Sequence, residues 1–291
     1  MDKTIHTVTT RDISPLLAEI YNAPVTLRMQ GTFPFPKIGQ KLKYLTVVGS
    51  RKYSDYGKQA CEYLIAGLAG YPIVIVSGLA LGMDAIALQA ALDAGLQTIA
   101  VPGSGLGDGV LHPRSNIGLR DSILRSGGCM LSEFTDDFAA TDYSFPQRNR
   151  IMAGLSHATL IIEAELKSGT LITSKYATEF NRDVFTVPHS IFDTTSEGPH
   201  MLLRLGATPV TKPEDILEAF GMLDPNQSLF ARDYTDCSSD EIAIIKLLSE
   251  PMSRDEIIFT IGKPIHLVQT TLSIMEIKGL IKEELGQIRL A

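Results

Sequence analysis

The sequence contains no tryptophan and only three cysteines. Cys61, Cys129 and Cys237 are scattered, with no CxxC pair and no histidine at ligand spacing. Neither a metal site nor a disulfide framework is expected, and the three read as small buried apolar residues. No apolar run reaches the roughly 20 residues that span a bilayer. The opening MDKTIHTVTTRDISP lacks the charged head and apolar stretch of a secretion signal. The expected location is therefore cytoplasmic, with no membrane partner. Positive charge is also in short supply, since the formal net charge is -7. That excludes a protein that coats a polyanion with its whole surface. It leaves room for a focused cluster, because phosphate contacts are made by a handful of residues.

What is present is an ordinary globular composition, 44% hydrophobic and 20% charged over 291 residues. That length suits one large α/β domain and one small domain. Residues 1–40 hold a short helical pattern, ISPLLAEIY, then NAPVTLRMQG and a Pro/Gly-punctuated stretch; they read as a lead segment packing on the main domain. From Tyr44 short β-branched runs alternate with amphipathic stretches. The runs are 44–48, 73–76, 97–101, 129–131, 159–162 and 183–187, and between them lie YGKQACEYLIAGLAG and MDAIALQAALDAG. Near-continuous apolar strands alternating with helices predict a Rossmann-like, doubly wound, mostly parallel sheet over 41–222. A polar, turn-rich stretch at 223–239 reads as a linker. Residues 240–291 hold two short helices with a break at Glu250-Pro251, one longer helix and a closing hairpin, which describes a winged-helix domain. Ser253 and Glu256 form a capping box at its second helix.

In open α/β sheets ligands lie outside the carboxyl ends of the strands, so candidate site residues are those just after each run. Gly49-Ser50-Arg51 offers close backbone approach, a hydroxyl and a charged fork, or else a tight turn with a solvated arginine. Ser77-Gly78 and Gly82 enter a helix whose Asp84 reads as a first-turn carboxylate rather than a base. Gly103 and Gly105 belong to a glycine-rich loop that could cradle an anion. His112 closes that loop and reads as a satisfied loop residue. Phe145-Pro146-Gln147-Arg148-Asn149-Arg150 opens a helix with two arginines in its first turn. That opposes the helix dipole unless an anion binds there, or unless an arginine pairs internally with Glu133 or Glu163. Ser168-Gly169-Thr170 places hydroxyl and amide groups at another helix start. The GxGxxG spacing of a dinucleotide site is absent, so no cofactor is expected. Together the strand ends predict a rim that holds a polyanion by phosphate contacts, with base stacking on Phe145.

These residues carry a resemblance. VVGSRKYSDYG (47–57), VSGLALGMDAIA (76–87), AVPGSGLGDGVLHP (100–113), LSEF (131–134), FPQRNRIMAGLS (145–156) and the run from 161 to 188 resemble the DNA-processing protein A (DprA/Smf) family, over about residues 12–220. The resemblance implies a non-catalytic protein that binds single-stranded DNA, protects incoming strands, forms a homodimer and loads RecA recombinase during natural transformation. It implies a pocket lined by Gly49, Ser50, Arg51, Phe145, Arg148, Asn149 and Arg150. It departs from the family pattern at His112-Pro113, where Tyr-Pro is usual, and at Val187-Pro188-His189, where VPG is usual. The helical domain that precedes the fold in many relatives is expected to be missing. The alternative is an enzyme resembling nucleoside-monophosphate phosphoribohydrolases, but their PGGxGTxxE run is here ELKSGTLITS, without the doubled glycine or the acidic residue. The C-terminal segment 240–291 holds six Lys/Arg against eight Asp/Glu. A reader of duplex grooves should be basic, so a protein-interaction role is expected for it.

Overall fold

A computed structural model describes residues 4–37, 41–223, 237–248, 252–284 and 286–290. The chain divides into two compact units, Met1–Met222 and Leu223–Ala291. The first unit runs β1 (Ile5–Thr9), α1 (Thr10–Ile13), α2 (Pro15–Ala18), β2 (Thr26–Gly31), β3 (Lys43–Val48), α3 (Asp55–Ala66) and β4 (Ile73–Ser77). It continues with α4 (Met83–Asp93), β5 (Gln97–Ala100), α5 (Ile117–Arg125), β6 (Cys129–Ser132), α6 (Ser144–Leu155) and β7 (Ala158–Ile161). It closes with α7 (Thr170–Glu179), β8 (Asp183–Thr186), α8 (Glu197–Arg204), β9 (Thr208–Pro209) and α9 (Pro213–Ala219).

The six apolar runs form β3 to β8. They build the parallel body of a nine-stranded sheet in the spatial order β1-β2-β6-β5-β4-β3-β7-β8-β9. Every residue of β4, β6 and β7 is buried, as expected for strands covered by helices on both faces. From β3 the chain winds outward through β4, β5 and β6, then returns to place β7 on the other side of β3. Strand order therefore reverses between β3 and β7, and a crevice opens at their carboxyl ends.

The lead segment differs from its expectation. ISPLLAEIY is not one helix but two single turns. Ser14 ends the first and caps the second, accepting from Leu17 N at 3.1 Å, and Pro15 comes next. NAPVTLRMQG contains β2, whose Leu27 and Met29 point into the core while Thr26 and Arg28 stay partly or fully in solvent. That alternation is the strand period. β2 pairs antiparallel with β6 (Met29 opposite Leu131), and β1 pairs antiparallel with β2. The segment thus extends the sheet instead of merely lying on it. β9, two residues long, carries too little pattern to be read from sequence.

The second unit runs α10 (Ser239–Leu247), α11 (Arg254–Ile261), α12 (Ile265–Ile277), β10 (Ile281–Glu284) and β11 (Gln287–Leu290). Its core is Ile244, Ile257, Val268, Leu272, Met275 and Ile288. The Ser253–Glu256 capping box is formed, and Ser238 with Glu241 makes another at α10. Most of the expected linker (224–236) and the break at Glu250-Pro251 lie outside the described residues.

Candidate nucleic-acid interface

The crevice at the sheet's reversal point is a cavity of about 360 Å³. One wall is the 49–52 turn after β3. The opposite wall is the start of α7, with Ser168, Gly169 and Thr170. The floor and back are Asp84, Arg148, Asn149, Met152 and Thr173, and Phe145 stands at the mouth. Nine of the fourteen residues singled out from sequence therefore meet around one space: Gly49, Ser50, Arg51, Phe145, Arg148, Asn149, Ser168, Gly169 and Thr170.

The 49–51 turn is held from beneath. Met83 N donates to Ser50 O at 3.1 Å. Gly82, at φ +78, lies so close to the carbonyls of Ser50 and Arg51 that a Cβ there would overlap them. Across the crevice Thr170 Oγ1 donates to Gly49 O at 3.1 Å, and Ser168 Oγ accepts from Thr170 N at 3.1 Å. The Thr170 hydroxyl ties the two walls together and Ser168 steadies its own wall, while the N-terminal end of the ten-residue α7 faces the space and favours negative charge there. Glu165 is the one acidic rim residue that opposes this.

The arginines divide. Arg51 is exposed, makes no ion pair with a described residue, and lies over the Phe145 ring with its guanidinium carbon 4.8 Å from the centroid. Arg148 is 4% exposed. Its Nη1 donates to the carbonyls of Gly78 and Val101, its Nε donates to Asn149 Oδ1 at 3.1 Å, and its Nη2 is 4.0 Å from Asp84 Oδ2. Burial pulls the Arg148 pKa down to about 10, with Arg51 acting in the same direction and Asp84 against it. The guanidinium remains charged at neutral pH. Burial likewise pushes the Asp84 carboxyl above its usual range, opposed by Arg148 and by the backbone amides of Ala80 and Gly78. Arg150 is not in the cavity wall. It is buried against Glu133, whose carboxyl burial also raises, with Arg150 opposing. The internal pairing weighed from sequence is thus made by Arg150 with Glu133. Glu163 instead accepts from Ser54 N at 2.9 Å and Ser54 Oγ at 2.8 Å, fixing the start of α3.

Four more expected residues serve the scaffold. Ser77 is fully buried and donates to Val47 O at 2.7 Å. Gly78 leaves the space the Arg148 guanidinium fills, and its amide serves Asp84. Gly103 backs onto the Phe145 ring. Gly105 N donates to Phe138 O at 2.9 Å, and Gly107 N donates to Asp136 O at 2.9 Å. The glycine loop is therefore a pinned support, not an open anion cradle, because the amides of Gly105 and Gly107 are already engaged. Sequence reading passed over Lys52, Met152, Glu165 and Thr173 as wall residues, and the pairing of Asp84 with Arg148. Met152 and Thr173 were within reach, being three residues on from Asn149 and Thr170 on the same helix faces.

Fold and site together define a Rossmann-like α/β protein whose reversal-point crevice is lined by Arg51, Arg148 and an aromatic ring. The chain belongs to the family described as DNA recombination-mediator protein A, whose sequence profile matches residues 4–221. It is 44% identical over 207 residues to DNA processing protein DprA of Streptococcus pneumoniae, covering 70% of each chain. It is 38% identical over 244 residues to Protein Smf of Escherichia coli, covering 81% of this chain and 65% of that protein. The chain thus spans about two thirds of these relatives' length. Solved structures share the fold, two of them with clear sequence similarity to this chain. DNA processing protein A from S. pneumoniae has a TM-score of 0.67 at 40% identity over 74% of each chain. DNA processing protein A from Helicobacter pylori, described in a single-stranded DNA binding mode, has a TM-score of 0.64 at 28% identity over 75% of this chain and 97% of that one. No helix among the described residues is long and apolar enough to cross a membrane.

Proposed function

We propose that this chain binds single-stranded DNA at the crevice between β3 and β7, without chemistry on the strand. The observation that carries the reading is Arg51, an exposed cation without an ion-pair partner among the described residues, lying on an aromatic ring at the mouth of a cavity. A guanidinium so placed can take a phosphate while Phe145 presents a π-face to a base. The binding residues are Gly49, Ser50, Arg51, Phe145, Asn149, Ser168, Gly169 and Thr170, with Arg148 holding the floor. The single-stranded DNA binding mode described for the H. pylori relative supports this reading. The net charge of -7 requires that any such site be focused rather than a basic coat.

On the same reading the protein is a cytoplasmic homodimer that protects incoming strands and loads RecA recombinase during transformation and recombination. The 240–291 unit is then a winged helix that contacts protein. Its longest helix, α12, carries no lysine or arginine, unlike a helix that reads a duplex groove. The deciding measurement is the affinity of the purified chain for a fluorescent oligo-dT at rising salt. Log affinity should fall linearly with log salt, by roughly 0.7 for each phosphate neutralised. A salt-independent or undetectable shift overturns the proposal. Release of free base from a nucleoside monophosphate would replace it with the hydrolase reading.

A further inference from the structure

Phe145 divides two spaces. On one side is the crevice just described. On the other is a small cleft of about 20 Å³, lined by Gly78, Leu81, His112 and Pro113, with Arg51, Ala80 and Phe145 shared between the two. Its chemistry differs from the crevice. Apart from Arg51 at the shared edge, its wall is apolar or aromatic. Leu81 is 51% exposed, and the exposed His112 ring lies 5.9 Å from Phe145 at 56°.

The cleft is also firmly built. Asn116 Nδ2 donates to Leu79 O at 2.9 Å and to Ala80 O at 3.2 Å, stapling the 79–81 turn to the segment after Pro113. His112 N donates at 3.2 Å to Ser104 Oγ, a fully buried hydroxyl. Leu106 and Leu111 anchor the loop in the core. The backbone that carries an exposed leucine and an exposed imidazole is therefore fixed beside Arg51.

We propose that this cleft is a second nucleobase contact, in which a base of the strand leaving the crevice past Arg51 lies across Leu81 and stacks on His112. The proposal rests on the single-strand reading above and adds a site to it. At about 20 Å³ the cleft is too small to swallow a base, which instead lies across its rim, so sequence preference is not expected from it. The Leu81, Ala80 and Pro113 surface favours a base face over a phosphate, since only Arg51 and the His112 ring could serve a phosphate there.

The test compares His112→Ala and His112→Phe with the unaltered full chain, by fluorescence anisotropy on two ligands: oligo-dT, and a backbone of equal length whose residues are abasic. His112→Ala should weaken oligo-dT binding by roughly tenfold, and His112→Phe should hold within about twofold of the unaltered chain. On the abasic backbone all three should bind alike. Thermal unfolding of each variant reports whether the loop is intact, and His112→Phe keeps the test decisive if the alanine variant is unstable. Unchanged oligo-dT affinity in folded His112→Ala overturns the proposal. So does an equal loss on the abasic backbone, which would make His112 a phosphate contact. Failure of the unaltered chain to bind oligo-dT would instead overturn the single-strand reading itself.

Discussion

Arg51 and Arg148 border the same cavity, one on the turn after β3 and the other on α6. Arg51 is exposed and lies on the Phe145 ring, whereas Arg148 is 4% exposed and has two carbonyls, Asn149 and Asp84 around it. The difference comes from what each backbone position faces. The 49–51 turn lies at the carboxyl edge of the sheet, where a side chain leaves toward solvent. The helix α6 begins at Ser144, so Arg148 and Arg150 lie past its first turn, contrary to the expectation from sequence, and the Arg148 side chain reaches the ends of β4 and β5, where the carbonyls of Gly78 and Val101 await donors. A buried carbonyl needs a partner, and a guanidinium with five donors satisfies two at once. Arginine density near a cavity is thus a poor guide to how many arginines reach a ligand.

The sharpest way to break this contrast is Arg148→Ala. It should destabilise the first unit by about 3–5 kcal/mol, because it leaves Asp84 buried without its cation and two carbonyls without donors. A fall in the denaturation midpoint measures it, and an unchanged midpoint would mean Arg148 is not a structural post. Arg150→Ala should come next, costing about 1–3 kcal/mol through the stranded Glu133. Oligo-dT affinity measured on the folded protein should stay within about twofold, since Arg150 is absent from the cavity wall. Arg51→Ala should do the reverse. The denaturation midpoint should hold within about 0.5 kcal/mol, as for exposed side chains in general. Strand affinity should drop by roughly tenfold for all sequences alike, because phosphate contacts carry no sequence information.

A further effect concerns pH and is absent at neutral pH. His157, stacked on Tyr44 and accepting from Tyr44 N at 3.1 Å, is held by burial at a pKa of about 4, with Lys43 and Arg182 pushing the same way. The folded state therefore refuses a proton that the unfolded state takes up near pH 6.5. Stability should be full above that value and decline as pH falls through the window from about 6.5 to about 4. His157→Gln should flatten the decline in that window in denaturant titrations; an identical slope would remove His157 as its cause.

Much of this was legible in the chain itself. The six parallel strands announced themselves because each is a short, nearly continuous apolar run, most of them β-branched and buried on both faces, a pattern that solvent-facing segments do not produce. The reversal-point crevice came from topology, and nine of the expected residues do converge there. The N-terminal strands were less legible. β2 alternates cleanly in TLRMQG, but the helical pattern before it obscured the hairpin, and only β6 offering an edge made a strand of it. The glycine loop at 103–107 failed differently. Glycine frequency suggested freedom, whereas two of its amides are bonded to the 136–138 segment and its glycines are the close approaches that allow it.

By itself the sequence determined the sheet, its helices, the capped helices of the second unit and the rim where a ligand could sit, because periodicity and capping act between residues close along the chain. Only the tertiary structure decided which arginine is exposed and which is tied down. Whether a side chain is a ligand or a post depends on which carbonyls and carboxylates lie across from it. Arg148 meets Gly78 and Val101, 70 and 47 residues away, and Arg51 meets an aromatic ring that leaves its charge unspent.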